Sequence, residues 1–150
     1  MALQEADRLV IFGITGDLAK KMTLPSLYRL ERRGMLNVPV ITVAFDNWTH
    51  EQLINHARES IESVEGKIDE TVFTRLAERL SYVHGDFNDP KLYGKLKKAL
   101  KGSHAATFYL EVPPSLFVIV AQHLYNADLL HGDARVVFEK PFGTSYDTAV

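Results

Sequence analysis

Length, composition and charge already exclude several classes of protein. The chain has 150 residues, 46% of them hydrophobic and 24% charged, so it can bury the core of one globular domain. Its 17 Lys and Arg nearly balance 19 Asp and Glu, which argues against a nucleic-acid partner because such proteins carry a concentrated basic stripe. The absence of cysteine excludes disulfides and thiolate catalysis. No apolar run is long enough to cross a bilayer, and we expect a soluble, cytoplasmic protein without a membrane partner.

Short apolar segments alternate with amphipathic stretches along the whole chain, which predicts alternating strands and helices. Nearly continuous apolar character within the strands indicates a parallel sheet covered by helices on both faces. We therefore expect one doubly wound α/β domain. The predicted strands are residues 9–12, 38–45, 80–84, 105–112 and 135–138.

The helices between these strands have recognisable start and stop signals. Capping boxes, Asp-Pro pairs and a glycine after the last turn are typical of helix ends. The predicted helices are residues 17–33 before Gly34, 49 to about 63 behind a capping box of Thr49 and Gln52, 69–79, one that starts at Asp89 and Pro90, and one that starts at Pro113 and Pro114.

The turn between the first strand and the first helix has the sequence GITGDLA and is the most informative segment. Gly13 and Gly16 let the backbone bend sharply and let a pyrophosphate approach its amides, and the small Ala19 lets the helix pack closely on the sheet. A helix that starts here offers unpaired N–H groups to a phosphate. This pattern predicts a Rossmann-like dinucleotide site. The pattern itself points to Gly13 and Gly16 as cofactor-binding residues in this turn.

Acidic residues follow the second and third strands, where a dinucleotide fold holds the adenosine. Asp46 can accept from the ribose hydroxyls, which favours NAD over NADP. Asp86 and Phe87 are candidates for the adenine pocket. Each Asp could instead be an ordinary turn residue. For Asp17 the local chemistry favours a role as a helix cap over a phosphate contact, because its carboxylate would repel a pyrophosphate.

Three motifs together resemble one family closely. The GITGDLA turn, the segment FYLEVPP at residues 108–114 and the segment EKPFG at residues 139–143 are similar to the coenzyme domain of the glucose-6-phosphate dehydrogenase family. The resemblance implies oxidation of the C1 hydroxyl of glucose 6-phosphate to a lactone, with hydride transfer to NADP. It also implies that Lys140 lies between coenzyme and sugar phosphate and binds both. By the same resemblance, the residues that bind the pyrophosphate are Gly13, Ile14, Thr15, Gly16, Asp17 and Leu18.

Two positions depart from the family pattern. Phe45 stands where the family usually has an arginine after the second strand, so its NADP preference is in doubt and Phe45 becomes a candidate cofactor-binding residue. Met22 replaces a basic residue near the substrate. The departure at Phe45 leaves the choice between NAD and NADP open, and the departure at Met22 predicts a substrate affinity or orientation that differs from the family's.

The family's general-base histidine is expected downstream, beyond the end of this chain. None of the six histidines here has metal-ligand spacing, so we expect no metal site. We expect residues 1–150 to form the NAD(P)-binding domain, with the substrate domain absent, and to bind coenzyme without turnover. For the full-length protein the resemblance implies a homo-oligomer.

Two other interpretations stay open at this point. Sugar oxidoreductases of the Gfo/Idh/MocA type also combine a Rossmann turn with an EKP triplet, although they usually carry GxGxxG. A non-catalytic dinucleotide-binding module would keep the glycine turn and lack the chemistry.

Overall fold

The computed structural model describes residues 6–138, so the expected roles of Lys140 and of the EKPFG segment lie outside the described residues. The strands are β1 (Arg8–Phe12), β2 (Val40–Ala44), β3 (Leu80–His84), β4 (Ala106–Leu110) and β5 (Arg135–Phe138). The helices are a π-helical segment (Ala19–Thr23), α1 (Leu24–Arg32), α2 (His50–Glu65), α3 (Glu70–Arg79), α4 (Pro90–Ala99), a 3₁₀ turn (Pro114–Leu116) and α5 (Phe117–Asn126).

All strand pairs in the sheet are parallel, and the strand order is β3-β2-β1-β4-β5. Leu9 in the central strand pairs with Val40 on one side and with Thr107 on the other. One core cluster packs β1 and β2 against α1, α2 and α3, and a second packs the other face of the sheet against α4 and α5. This arrangement confirms the doubly wound α/β fold, with helices on both faces of the sheet.

Most predicted element boundaries are confirmed to within one or two residues. The capping box of α2 is present, since the Gln52 N–H donates to Thr49 Oγ1 over 3.1 Å and the Thr49 N–H donates to Gln52 Oε1 over 2.8 Å. The Asp89 carboxylate accepts from the Lys91 N–H at the start of α4. Gly34 has a φ of +70°, as a glycine at a helix end often does.

Two strands are shorter than predicted. The second strand begins at Val40, and Pro39 before it pairs with β1 only through its carbonyl, which accepts from the Leu9 N–H over 3.1 Å, because proline has no N–H to donate. At the other end Phe45 leaves the ladder and is exposed. Glu111 and Val112 lie beyond the end of β4.

The first helix differs from the predicted continuous α-helix over residues 17–33. Its middle is π-helical, and the Leu24 N–H donates to the carbonyl of Ala19, five residues earlier. Pro25 provides the physical reason, because its missing N–H and its ring disfavour regular α-helical bonding to the preceding turn. Among residues 6–138, no helix combines the length and the apolar character needed to span a bilayer.

Candidate dinucleotide-binding site

The candidate residues meet at one edge of the sheet, where the carboxyl ends of the parallel strands lie together. Gly13 follows β1 directly, Asp46 follows β2 by two residues, and Asp86 follows β3 by two residues. In open α/β sheets this edge is the usual place for ligands. Residues that are far apart in the chain are thus brought to one surface.

Gly13 occupies a position that only glycine fits. Its φ is +92°, and an added Cβ would overlap the backbone carbonyl of Glu111 at the end of β4. Its N–H donates to the carbonyl of Val43 over 2.8 Å, and its own carbonyl accepts from the Gly16 N–H over 3.0 Å. The turn is therefore held against both neighbouring strands of β1.

The turn leaves backbone donors available at the start of the first helix. Within residues 6–138, no hydrogen-bond partner is found for the N–H groups of Thr15, Asp17 and Leu18, and Gly16 is exposed beside them. Such donors at a helix start suit an anionic phosphate. The backbone here therefore fits the pyrophosphate of a dinucleotide.

Ala19 and Asp17 test two expectations about the first helix. Ala19 is completely buried, which confirms the predicted close packing of helix and sheet. The Asp17 side chain is exposed and makes no capping hydrogen bond with the described residues, so the capping interpretation is wrong. The backbone already enters the helix at Asp17, one position past the place that a capping side chain occupies.

A side-chain hydrogen bond joins the glycine turn to the loop after β2. Thr15 Oγ1 donates to Asp46 Oδ1 over 2.8 Å. The Asp46 carboxylate is thereby held beside the turn while it remains exposed. Phe45 next to it exposes 67% of its surface, and its ring centroid lies 6.5 Å from that of His84.

Tyr82 of β3 contacts the backbone of the same loop. Its phenol donates a hydrogen bond to the backbone carbonyl of Asp46. Burial, together with the negative charge of Asp46, raises the pKa of Tyr82 to about 12. The phenol is therefore protonated at neutral pH, as a donor must be.

An aromatic stack continues from Tyr82 back to the glycine turn. The Trp48 ring stacks on Tyr82 at a centroid distance of 6.2 Å and lies 4.9 Å from the ring of His56. His56 Nε2 lies 3.3 Å from the carbonyl oxygen of Ile14. Burial lowers the pKa of His56, so its ring is neutral at pH 7 and the Nε2–H tautomer donates to that carbonyl.

Asp86 and Phe87 lie at the edge of the site, and their exposure to solvent differs. The Asp86 carboxylate is exposed and accepts from the Asn88 N–H over 2.8 Å, which is a local turn contact. The Phe87 ring is half-buried and packs edge-on against Phe12, with centroids 5.6 Å apart. Asp86 therefore faces solvent, whereas Phe87 belongs largely to the core.

Sequence reasoning missed three residues at this edge. His56 of α2 and Tyr82 of β3 are not among the sequence candidates, because the hydrogen bonds that bring them to this edge join residues distant in the chain. Glu111, buried beside Gly13, accepts a hydrogen bond from the Thr23 hydroxyl of the π-helical segment. Within residues 6–138, no group of three His, Asp or Glu side chains is placed to hold a metal ion.

Two curated proteins with similar sequences are both named as glucose-6-phosphate 1-dehydrogenases. The chain is 50% identical over 145 residues to "Glucose-6-phosphate 1-dehydrogenase 1" of Mycobacterium tuberculosis, a match that covers 97% of this chain and 31% of that protein. It is 36% identical over 145 residues to "Glucose-6-phosphate 1-dehydrogenase" of Dickeya dadantii, covering 94% of this chain and 30% of that protein. The chain thus spans about a third of the length of these curated relatives.

Solved structures agree with the sequence relatives. The crystal structure of "Glucose-6-phosphate 1-dehydrogenase from Mycobacterium avium" superposes with a TM-score of 0.86 at 51% identity, covering 96% of this chain and 32% of that one. A "Glucose-6-phosphate dehydrogenase in complex with its substrate glucose-6-phosphate" superposes with a TM-score of 0.77 at 31% identity over the same shares.

The family assignment follows from a match over nearly the whole chain. The family model described as "Glucose-6-phosphate dehydrogenase, NAD binding domain" matches residues 10–150. This range includes the glycine turn, the Asp46 loop and the EKPFG segment. The chain belongs to the glucose-6-phosphate dehydrogenase family, and it carries that family's NAD binding domain.

Proposed function

We propose that residues 1–150 form the coenzyme-binding domain of a longer dehydrogenase and hold NAD(P) at the carboxyl edge of the sheet. The pyrophosphate binds the turn of residues 13–18, whose N–H groups at Thr15, Asp17 and Leu18 have no partner within the described part of the chain. The observation that carries the proposal is Gly13, where any side chain would overlap Glu111. Glycine at this position permits the tight turn that brings the start of the first helix, with its N–H groups, directly after β1.

We infer that the domain prefers NAD to NADP. The exposed Asp46 carboxylate, held by Thr15, is an acceptor for two ribose hydroxyls and repels a 2′-phosphate. Phe45 offers no positive charge to such a phosphate. Asp86 and Phe87 complete the adenosine side of the proposed site, with Asp86 as the acceptor for the adenine amine and Phe87 as an apolar contact.

For the full-length protein we propose the oxidation of glucose 6-phosphate to its lactone. The support is the family assignment and the printed activity of the relatives, of which this chain spans about a third. Lys140 is proposed to contact both coenzyme and sugar phosphate; it lies outside the described residues. A homo-oligomer and a cytoplasmic location are proposed on the same resemblance.

A bound nicotinamide would supply the acceptor for the hydride from C1 of the sugar, and the hydroxyl proton would pass to a base. The described residues of this chain bind and orient the dinucleotide and hold no proton in that transfer. The base is the histidine that the resemblance places downstream of this chain. We therefore propose that residues 1–150 bind coenzyme and catalyse no turnover.

Two measurements on the 150-residue chain test these proposals. Calorimetric titration with NADH and NADPH, after circular dichroism has shown a folded α/β protein, tests coenzyme binding. A spectrophotometric assay at 340 nm with glucose 6-phosphate and either oxidised coenzyme tests turnover. Saturable binding without absorbance change supports both proposals, whereas the absence of binding by a folded chain contradicts the first and steady NADH or NADPH production contradicts the second.

A further inference from the structure

A closed ring of contacts lies at the adenosine side of the proposed site. It passes through four separate parts of the fold: the glycine turn, the loop after β2, strand β3 and helix α2. Each neighbour along the ring is joined by a hydrogen bond, a ring stack or the chain itself. In order, the ring consists of Thr15, Asp46, Tyr82, Trp48, His56 and Ile14.

Within this ring, Tyr82 restrains Asp46. Its phenol holds the backbone of Asp46, while Thr15 holds the carboxylate of the same residue over 2.8 Å. Asp46 is therefore fixed at two points, one on its main chain and one on its side chain. A carboxylate restrained in this way loses little conformational entropy when it accepts a hydrogen bond from a ligand.

On the other side of the ring, His56 restrains the glycine turn. It reaches from α2 to the Ile14 carbonyl inside the turn, and its ring is kept in place by Trp48. The charged groups that face it are Lys20 on the π-helical segment, Glu59 on α2 and Asp46 on the opposite loop. None of the interactions of His56 uses the N–H groups that point to the proposed pyrophosphate.

We propose that Tyr82 and His56 are positioning residues with separate effects on coenzyme binding. Tyr82 sets the preference for NADH over NADPH by holding Asp46, and His56 sets the affinity common to both coenzymes by holding the glycine turn. The proposal rests on the proposed function, since it assumes that the dinucleotide binds at this edge. Neither side chain touches the ligand, so both act through preorganisation of the groups that do.

The two residues allow substitutions that remove one interaction at a time. Tyr82→Phe removes the phenol and keeps the ring that stacks on Trp48. His56→Phe keeps an aromatic ring beside Trp48 and removes the donor, whereas His56→Gln restores a donor without the ring. Tyr28→Phe is the matched control. The phenol of Tyr28, on α1, is also buried and makes one contact with the backbone, where it accepts from the Asp69 N–H over 2.9 Å.

The experiment measures the dissociation constants of NADH and NADPH for each variant by isothermal titration calorimetry, and the melting temperature in parallel. One hydrogen bond corresponds to roughly a threefold to tenfold change in affinity. We expect Tyr82→Phe to lower the NADH:NADPH affinity ratio by about that factor. We expect His56→Phe to weaken both coenzymes by about that factor at an unchanged ratio, and His56→Gln to recover most of the loss. Tyr28→Phe lowers the melting temperature and leaves both affinities unchanged.

Failure of this inference and failure of the proposed function look different. If the wild-type chain binds neither coenzyme, the proposed function fails, and the inference fails with it. If the wild type binds NADH more tightly than NADPH while Tyr82→Phe keeps the ratio, the role of Tyr82 is overturned and the proposed site stands. If His56→Gln is as weak as His56→Phe, or if Tyr28→Phe weakens binding equally, the effects are those of general destabilisation, and the positioning role of His56 is overturned.

Discussion

Thr15 and Asp46, 31 positions apart in the chain, are joined by a hydrogen bond of 2.8 Å between the hydroxyl and one carboxylate oxygen. This contact connects the turn that follows β1 with the loop that follows β2. It places a negative charge beside the backbone donors proposed for the pyrophosphate. We therefore expect the site to discriminate between coenzymes that carry a hydroxyl and coenzymes that carry a phosphate at the 2′ position of the ribose.

Removing the charge of Asp46 tests this directly. Asp46→Asn keeps the size of the side chain and abolishes the repulsion of a 2′-phosphate, so we expect the NADH:NADPH affinity ratio to fall about tenfold. Calorimetric titration with both coenzymes provides the measurement. Asp128→Asn is the control, since this exposed aspartate has a φ of 60°, a conformation that Asn also tolerates, and lies in the loop after α5. An equal change in both variants would contradict the role of Asp46.

A positive charge at position 45 should shift the preference in the same direction, toward NADPH. Phe45 is 67% exposed beside Asp46, so Phe45→Arg can direct its guanidinium toward a 2′-phosphate without disturbing the core. We expect NADPH affinity to rise about tenfold, and to rise less as salt is added. Met35→Arg, 57% exposed between α1 and β2, introduces the same charge elsewhere and should leave NADPH binding unchanged.

Substitution by alanine should change the unfolding free energy in opposite directions at Gly13, in the glycine turn, and at Gly94, in α4. Gly13→Ala places a methyl group against the Glu111 carbonyl and forces alanine to a φ of +92°, so we expect a loss of more than about 2 kcal/mol in unfolding free energy. Gly94→Ala lies within α4 with open space around the added carbon, and we expect a gain of up to about 1 kcal/mol. Urea unfolding of both variants gives the comparison. A stable Gly13→Ala chain with normal coenzyme affinity would contradict the described turn.

The half-buried His56 predicts a specific dependence of stability on pH. Burial lowers its pKa in the folded chain, so below about pH 6.5 the unfolded state binds more protons than the folded state. The contribution of neutral His56 is therefore complete above that pH and is lost as the pH falls toward the lowered pKa.

Melting temperatures measured between pH 5 and pH 8 check this prediction. We expect His56→Gln to fall less steeply than the wild type over the acidic part of this range, because glutamine does not titrate. His50→Gln, at the exposed first residue of the same helix, should retain the wild-type slope. Parallel curves for His56→Gln and the wild type would show that His56 does not cause the acid dependence.

Much of the fold could be predicted from the residues themselves. Strands β3 and β5 have the predicted ends, and the caps at Thr49 and Asp89 are where side-chain chemistry indicates them. These features depend on local apolar patterns and on hydrogen bonds between near neighbours, which a sequence displays directly. The family could also be recognised, because the glycine turn and the EKPFG segment occur together.

Features that depend on contacts between distant residues could not be predicted in the same way. The Thr15 contact with Asp46 and the stack of Trp48 on Tyr82 exist only because β1, β2 and β3 are neighbours in the sheet. The π-helical segment is an intermediate case. Pro25, which disturbs regular helical bonding, stands in the sequence, but the amphipathic leucines around it favour an uninterrupted α-helix.

The most direct test of the account is a parallel titration of the 150-residue chain with NADH and NADPH, followed through the emission of Trp48. This is the only tryptophan, and it stacks on Tyr82, whose phenol holds the Asp46 loop. We expect a saturable change with NADH and a weaker response to NADPH. A folded chain that responds to neither coenzyme, or that binds NADPH more tightly, would contradict it.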